Sequence, residues 1–120
     1  MANSFKDLVV WQRAIQLSLA IYKLTSSSPD SERFGLTNQL RRASVSVASN
    51  IAEGYGKSSR GEYLLFLGHA RGSNFELQTQ LTIADGLGFG NAQTRRAAGE
   101  LSEEVSRMLV AIMSKLKKPA

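Results

Sequence analysis

From Leu8 to Leu24 the apolar residues recur at helical rather than alternating spacing, and Ser4, three residues before Asp7, can cap the start. At about 100° per residue they form two stripes, one of Leu8, Trp11, Ile15, Leu19 and Tyr22 and one of Val10, Ala14, Leu17, Ile21 and Leu24. The stripes lie about 140° apart, and the wedge left to Gln12, Arg13, Gln16 and Lys23 is narrow. The pattern therefore predicts a helix over 5–25 that buries two faces. Ser26, Ser27, Ser28, Pro29, Asp30 and Glu32 read as a loop leading to a second helix, with Ser28 as cap, Pro29 at the first position and Gly35 as an interruption. This helix, predicted over 29–53, has a core stripe of Leu36, Leu40, Ala43, Val47 and Ile51, and Gly54 is the expected left-handed terminus. Ala43, Ser44, Ser46, Ala48, Ser49 and Ala52 make it thin, so neighbouring backbones can come close.

Ser59 and Glu62 stand at capping-box spacing and open a third helix, predicted over 60–85. One apolar face holds Tyr63, Phe66, Leu67, Ala70, Leu77 and Leu81; almost opposite lie Leu64, Leu65, Gly68, Gly72, Phe75 and Ile83. GLGFGN breaks the pattern. Asn91 then caps a fourth helix, predicted over 91–117, which carries one broad stripe from Ala98 through Val105 and Leu109 to Leu116. No strand period and no solenoid-length repeat competes. The expected fold is all-α: one domain, 1–120, built as an up-down-up-down four-helix bundle with short loops.

Such a bundle needs one apolar stripe per helix, because the opposite side faces water. Helices one and three exceed that need. Burying half of the surplus is worth several kcal/mol at about 25 cal/mol per Å², and a wet patch of that size promotes association. Homo-oligomerisation is the consequence, with Val10, Leu17, Ile21, Gly68, Gly72 and Phe75 as the expected interface. Gly68 and Gly72 each cost about 1 kcal/mol in a helix interior, which close approach of another backbone would offset; the alternatives are packing inside the subunit or mere tolerance.

Composition narrows the chemistry. With no cysteine, disulfides, thiolate zinc sites and cysteine nucleophiles are out. MANSFKDLVVWQRA lacks a basic segment leading into an apolar run, and no long uncharged apolar stretch exists, so the expected compartment is the cytoplasm and no membrane partner is expected. His69 has Phe66, not Glu, three residues before it, so the Glu-x-x-His pairs of a di-metal bundle are missing. No nucleophile elbow or phosphate loop is present either. No catalytic residue, cofactor or metal is expected.

A net charge of +5 favours polyanions. The candidate phosphate contacts are Arg41, Arg42, Lys57, Arg60 and Arg71, with Arg33 nearby in sequence, while Lys115, Lys117 and Lys118 read as a solvated helix end. Arg42, Ser46, Ser49 and Glu53 line up as a polar seam able to bind phosphate or to serve a hydrogen-bond network between subunits, and Asn50, at the edge of the core stripe, reads as structural. The functional expectation is an accessory protein binding RNA or DNA; the alternative is a protein-interaction scaffold with no nucleic-acid affinity.

Three strings carry a resemblance: FKDLVVWQRA at 5–14, FGLTNQLRRASVSVASNIAEG at 34–54, and EYLLFLGHARGSNFELQTQLTIADGLG at 62–88. Together they resemble the four-helix bundle proteins encoded in intervening sequences of bacterial 23S ribosomal RNA genes, and RRASVSVASNIAEG at 41–54 is the most specific part. The resemblance implies a homopentameric barrel without established enzymatic activity. A related branch, the accessory variability proteins of diversity-generating retroelements, is similar in fold and binds nucleic acid and a reverse transcriptase through a basic pentamer.

Overall fold

The computed structural model describes residues 3–27 and 35–119. Ser28, Pro29 and Arg33, and with them the expected start of the second helix, lie outside the described residues. The first helix divides in two: a 3-10 turn, Phe5–Asp7, precedes α1, Val9–Thr25, with Leu8 extended between them. Ser4 Oγ accepts from the Lys6 amide and Asp7 Oδ2 from the Asn3 amide, so the expected cap closes the turn rather than the long helix. Edge-on contact at 5.3 Å between Phe5 and Trp11 folds the turn back over α1.

Helices α2, Leu36–Tyr55, α3, Arg60–Leu87, and α4, Ala92–Lys117, complete the chain. Each packs against its neighbours in sequence and α1 closes on α4, and among the described residues no close backbone approach joins helices on the diagonal. This is the four-cornered up-down-up-down bundle, 50 × 20 × 20 Å. Its long axis is set by α3, whose 28 residues span about 42 Å.

Local chemistry fixes the boundaries. Ser59 Oγ accepts from the Glu62 amide at 3.1 Å and donates to Glu62 Oε1 at 3.2 Å, opening α3. At its other end Gly88 takes the left-handed conformation, φ 64°, while the Phe89 amide reaches back to the Ala84 carbonyl at 2.9 Å. That pairing satisfies the last carbonyls and drops Phe89 into the top of the core. Arg95 then holds the loop, with Nη1 donating to the Phe89 and Gly90 carbonyls and Nε to Asp85. Asn91 Oδ1 accepts from the Thr94 amide and starts α4.

Gly54 does not end α2. The helix continues to Tyr55, and Gly54 is not among the positive-φ residues. It is buried where α2 and α3 converge: a Cβ there would sit 2.7 Å from Phe66 Cβ and 3.2 Å from the Tyr63 ring. Close approach, not backbone handedness, calls for glycine at this point. The α2 core stripe of Leu36, Leu40, Ala43, Val47 and Ile51 is buried throughout.

Candidate nucleic-acid and assembly surfaces

The five expected phosphate contacts do not share one surface. Near the top of the bundle Arg41 Nε donates to Thr25 Oγ1 at 2.8 Å, and its guanidinium lies 4.4 Å from the centre of the Tyr22 ring. Arg41 thus ties α1 to α2 and is half-buried doing so. Arg42 is exposed over a cleft between α2 and α3 lined by Ser46, Ser73 and Glu76. Arg71, exposed at mid-height on α3, lies 5.0 Å over the Phe75 ring. Lys57 and Arg60 stand at the opposite end, Lys57 with its Nζ 4.8 Å over the Phe66 ring.

Arg60 Nη1 donates to the Lys118 carbonyl at 3.2 Å. That bond joins the α2–α3 turn to the end of α4, so Lys57, Arg60, Lys115, Lys117 and Lys118 share one end of the bundle. The lysine tail, which the sequence presents as a solvated helix end, thus stands beside Lys57 and Arg60. The up-down topology contained the missing signal, because α4 must finish at the end where α2 stops and α3 begins. Among the described residues, carboxylate partners within ion-pair distance belong to Arg13, whose Nε is 2.6 Å from Glu104 Oε1 without hydrogen-bond alignment, and to Arg95.

The polar seam is split. Ser46 Oγ meets Ser73 Oγ at 2.9 Å, and Asn50 Nδ2 donates to the Ser46 carbonyl and hydroxyl. Ser49 lines the α1–α2 groove instead, and Glu53 is exposed. The Ser46–Ser73 bond belongs to a belt at the waist: Ser18–Ser44 links α1 to α2 at 3.0 Å, and Arg13–Glu104 links α1 to α4. Between α3 and α4, Asn74 Nδ2 donates to the Ser102 carbonyl at 2.9 Å while Ser102 Oγ donates to Asn74 Oδ1 at 2.7 Å, both residues fully buried. Such a reciprocal pair fixes the axial register of two helices, because a shift would strand buried polar groups. Asn74 escaped the sequence reading, although it occupies the core stripe between Ala70 and Leu77.

His69 is exposed and meets Phe66 edge-on at 5.5 Å. No group of three or more histidine, aspartate or glutamate side chains among the described residues could hold a metal ion.

The apolar surfaces require a correction. Val10, Leu17 and Ile21 were expected at a subunit interface, yet they are 2%, 0% and 0% exposed inside the protomer. Of the two stripes on α1, theirs is the inward one. They carry no polar atom, whereas Trp11 and Tyr22 on the other stripe have an N–H and an O–H that favour a wetter position. The outward stripe leaves Leu19 and Tyr22 exposed and Trp11 and Ile15 half-buried. On α3 the expected outer face is uncovered: Leu65, Phe75 and Ile83 are 56%, 44% and 50% exposed. An added Cβ at Gly68 or Gly72 would find nothing within 4 Å, so neither glycine serves packing inside the protomer.

A family model for the 23S rRNA-intervening sequence protein matches residues 6–111. The chain belongs to this family. Its members' shared segment takes in Arg41, Arg42, Lys57, Arg60 and Arg71 but stops short of Lys115, Lys117 and Lys118. The fold is similar to that of a protein of unknown function from the S23 ribosomal protein family of Bacteroides thetaiotaomicron VPI-5482, with a TM-score of 0.77 and 20% identity over 87% of this chain and 97% of that one. No curated protein matches the chain. No helix among the described residues is long and apolar enough to cross a membrane.

Proposed function

We propose that this intervening-sequence protein is a non-enzymatic homo-oligomer, pentameric and cytoplasmic, that acts as an accessory protein by binding structured RNA or DNA through phosphate contacts. Lys57 and Arg60, joined by Lys115, Lys117 and Lys118, are its principal cations, and Arg42 and Arg71 add contacts farther along the bundle. The observation that carries this reading is the Arg60–Lys118 hydrogen bond, which gathers five cations at one end with no carboxylate of the described residues within ion-pair distance. Oligomerisation repeats that end, and phosphate affinity grows steeply with the number of simultaneous contacts.

Fluorescence anisotropy with a labelled hairpin RNA and a duplex DNA across a salt series tests it. Affinity should fall steeply with salt, and the double variant Lys57→Gln with Arg60→Gln should lower the log–log slope by about 2 for each protomer in contact. Affinity flat in salt, or absent at low salt, rejects the nucleic-acid role. The exposed apolar face of α3 supports a second reading, a protein-interaction scaffold. One stoichiometric partner recovered from nuclease-treated lysate by a protein that binds no nucleic acid would favour it.

A further inference from the structure

The geometry points to a head-to-tail contact in which the outer face of α3 in one copy lies along the α1–α2 groove of the next. The inference rests on the homo-oligomeric reading and names the surfaces used. The face on α3 takes in positions 65, 68, 72, 75, 79, 83 and 86, occupied by Leu65, Gly68, Gly72, Phe75, Thr79, Ile83 and Gly86. None is charged. Three of the seven are glycines, and an added Cβ at Gly68, Gly72 or Gly86 would meet nothing within 4 Å. Glycine is among the poorest residues in a helix interior, so a face with three has no justification inside the protomer. It presents Leu65, Phe75 and Ile83 as knobs with bare backbone between them.

The groove is the counterpart. Trp11, Ile15 and Ser18 of α1 face Val45, Ala48, Ser49 and Ala52 of α2 across an open cleft of about 250 Å³. Past Val45 it runs on into a second cleft of about 530 Å³, bounded by Tyr22, Asn38, Arg41 and Arg42. The lower cleft has no charged lining residue, and its α2 wall is made of small side chains, so a helix can settle close to it.

Three features favour a second copy as the occupant. The seven face positions on α3 and the lower cleft carry no charge of their own, so on a chain of net charge +5 these two parts can meet without setting like charges against each other, with Arg71 over the Phe75 ring and Arg41 and Arg42 in the upper cleft at their margins. The knobs together with exposed Leu87 leave on the order of 400 Å² of apolar surface, close to the apolar share of the roughly 800 Å² that each partner gives to a standard interface. Finally, knob and groove lie on different sides of the protomer. A two-fold dimer joined knob to knob would leave the groove empty, whereas a heterologous contact fills both. In a square bundle the two directions diverge by roughly 135°, so each added copy turns by several tens of degrees, as a closed ring requires.

Size-exclusion chromatography with light scattering on four samples tests this: the unmodified chain, Gly72→Trp, Val45→Arg and an equimolar mixture of the two variants. The unmodified chain should assemble. Each variant alone should run as a 13.1 kDa monomer with unchanged helix content. The mixture should yield a one-to-one dimer and nothing larger, because one intact knob face and one intact groove remain to meet. If either variant alone assembles like the unmodified chain, or the mixture stays monomeric, the assignment of surfaces is overturned while oligomerisation stands. A monomeric unmodified chain overturns both. Ile83→Lys with Ala52→Arg repeats the experiment should a first-choice variant lose helix content.

Discussion

Helices α1 and α3 both carry two apolar stripes, but they handle the surplus differently. On α1 the second stripe is half-covered: Phe5 leans on Trp11, Arg41 lies across Tyr22, and the stripe forms one wall of a groove with α2. On α3 the second stripe has only Arg71 over the Phe75 ring, leaves Leu65, Phe75 and Ile83 exposed, and is notched by glycine. The contrast teaches that a count of stripes measures how much apolar surface a chain must hide, while the side that turns inward depends on the facing helix: on α1 it is free of polar atoms, whereas on α3 it includes Tyr63 and the buried Asn74.

The largest expected effect separates the two stripes of α1. Leu17→Ala empties a fully buried site and should cost about 2–5 kcal/mol of unfolding free energy. Leu19→Ala, two residues on and 65% exposed, should cost less than about 0.5 kcal/mol. Urea unfolding at one fixed protein concentration measures both. Equal losses would mean that the inward stripe has been misassigned.

A second pair of substitutions sets the two sides of the bundle apart. Gly54→Ala drives a methyl into Phe66 and the Tyr63 ring at the α2–α3 contact and should destabilise by about 1–3 kcal/mol. Gly72→Ala meets no atom within 4 Å, and in dilute protein, where copies are apart, it should raise stability by up to about 1 kcal/mol. A destabilising Gly72→Ala under those conditions would show that α3 needs the glycine within the protomer, and the case for an external contact there would fail.

These pairs also mark how far the sequence could be read. Helical periodicity, the Ser59 and Asn91 caps and the breaker around Gly88 gave four helices in the right order, since each depends on atoms within a few residues. Gly54 was misread because a glycine near a helix end serves equally for a left-handed turn and for close packing, and the deciding neighbours, Tyr63 and Phe66, come from another helix. Val10, Leu17 and Ile21 were placed on the outside because a single helix has no reference for inward. The clustering of Arg60 with Lys118 spans 58 positions and needed the topology as well as the composition.

The smallest effect sharpens the contrast between the sheltered and bare faces of α3. Tyr63 packs beside Gly54 and meets Tyr55 edge-on at 6.0 Å. Burial, and secondarily the neighbouring Tyr55, pushes its phenol above the ordinary tyrosine value of 10.0. A folded-state value above the unfolded one means that folding favours the protonated phenol. The stability this gives is complete below about pH 10 and fades as pH rises through the unfolded and then the folded value. Tyr63→Phe cannot ionise, so the unfolding free energy of the unmodified protein minus that of the variant should decrease as pH rises past about 10. Ionisation of the lysines and other tyrosines is common to both proteins and largely cancels in that difference. A difference constant with pH would place Tyr63 in water, and the inner face of α3 would then be as loosely covered at its start as the outer face is along its length.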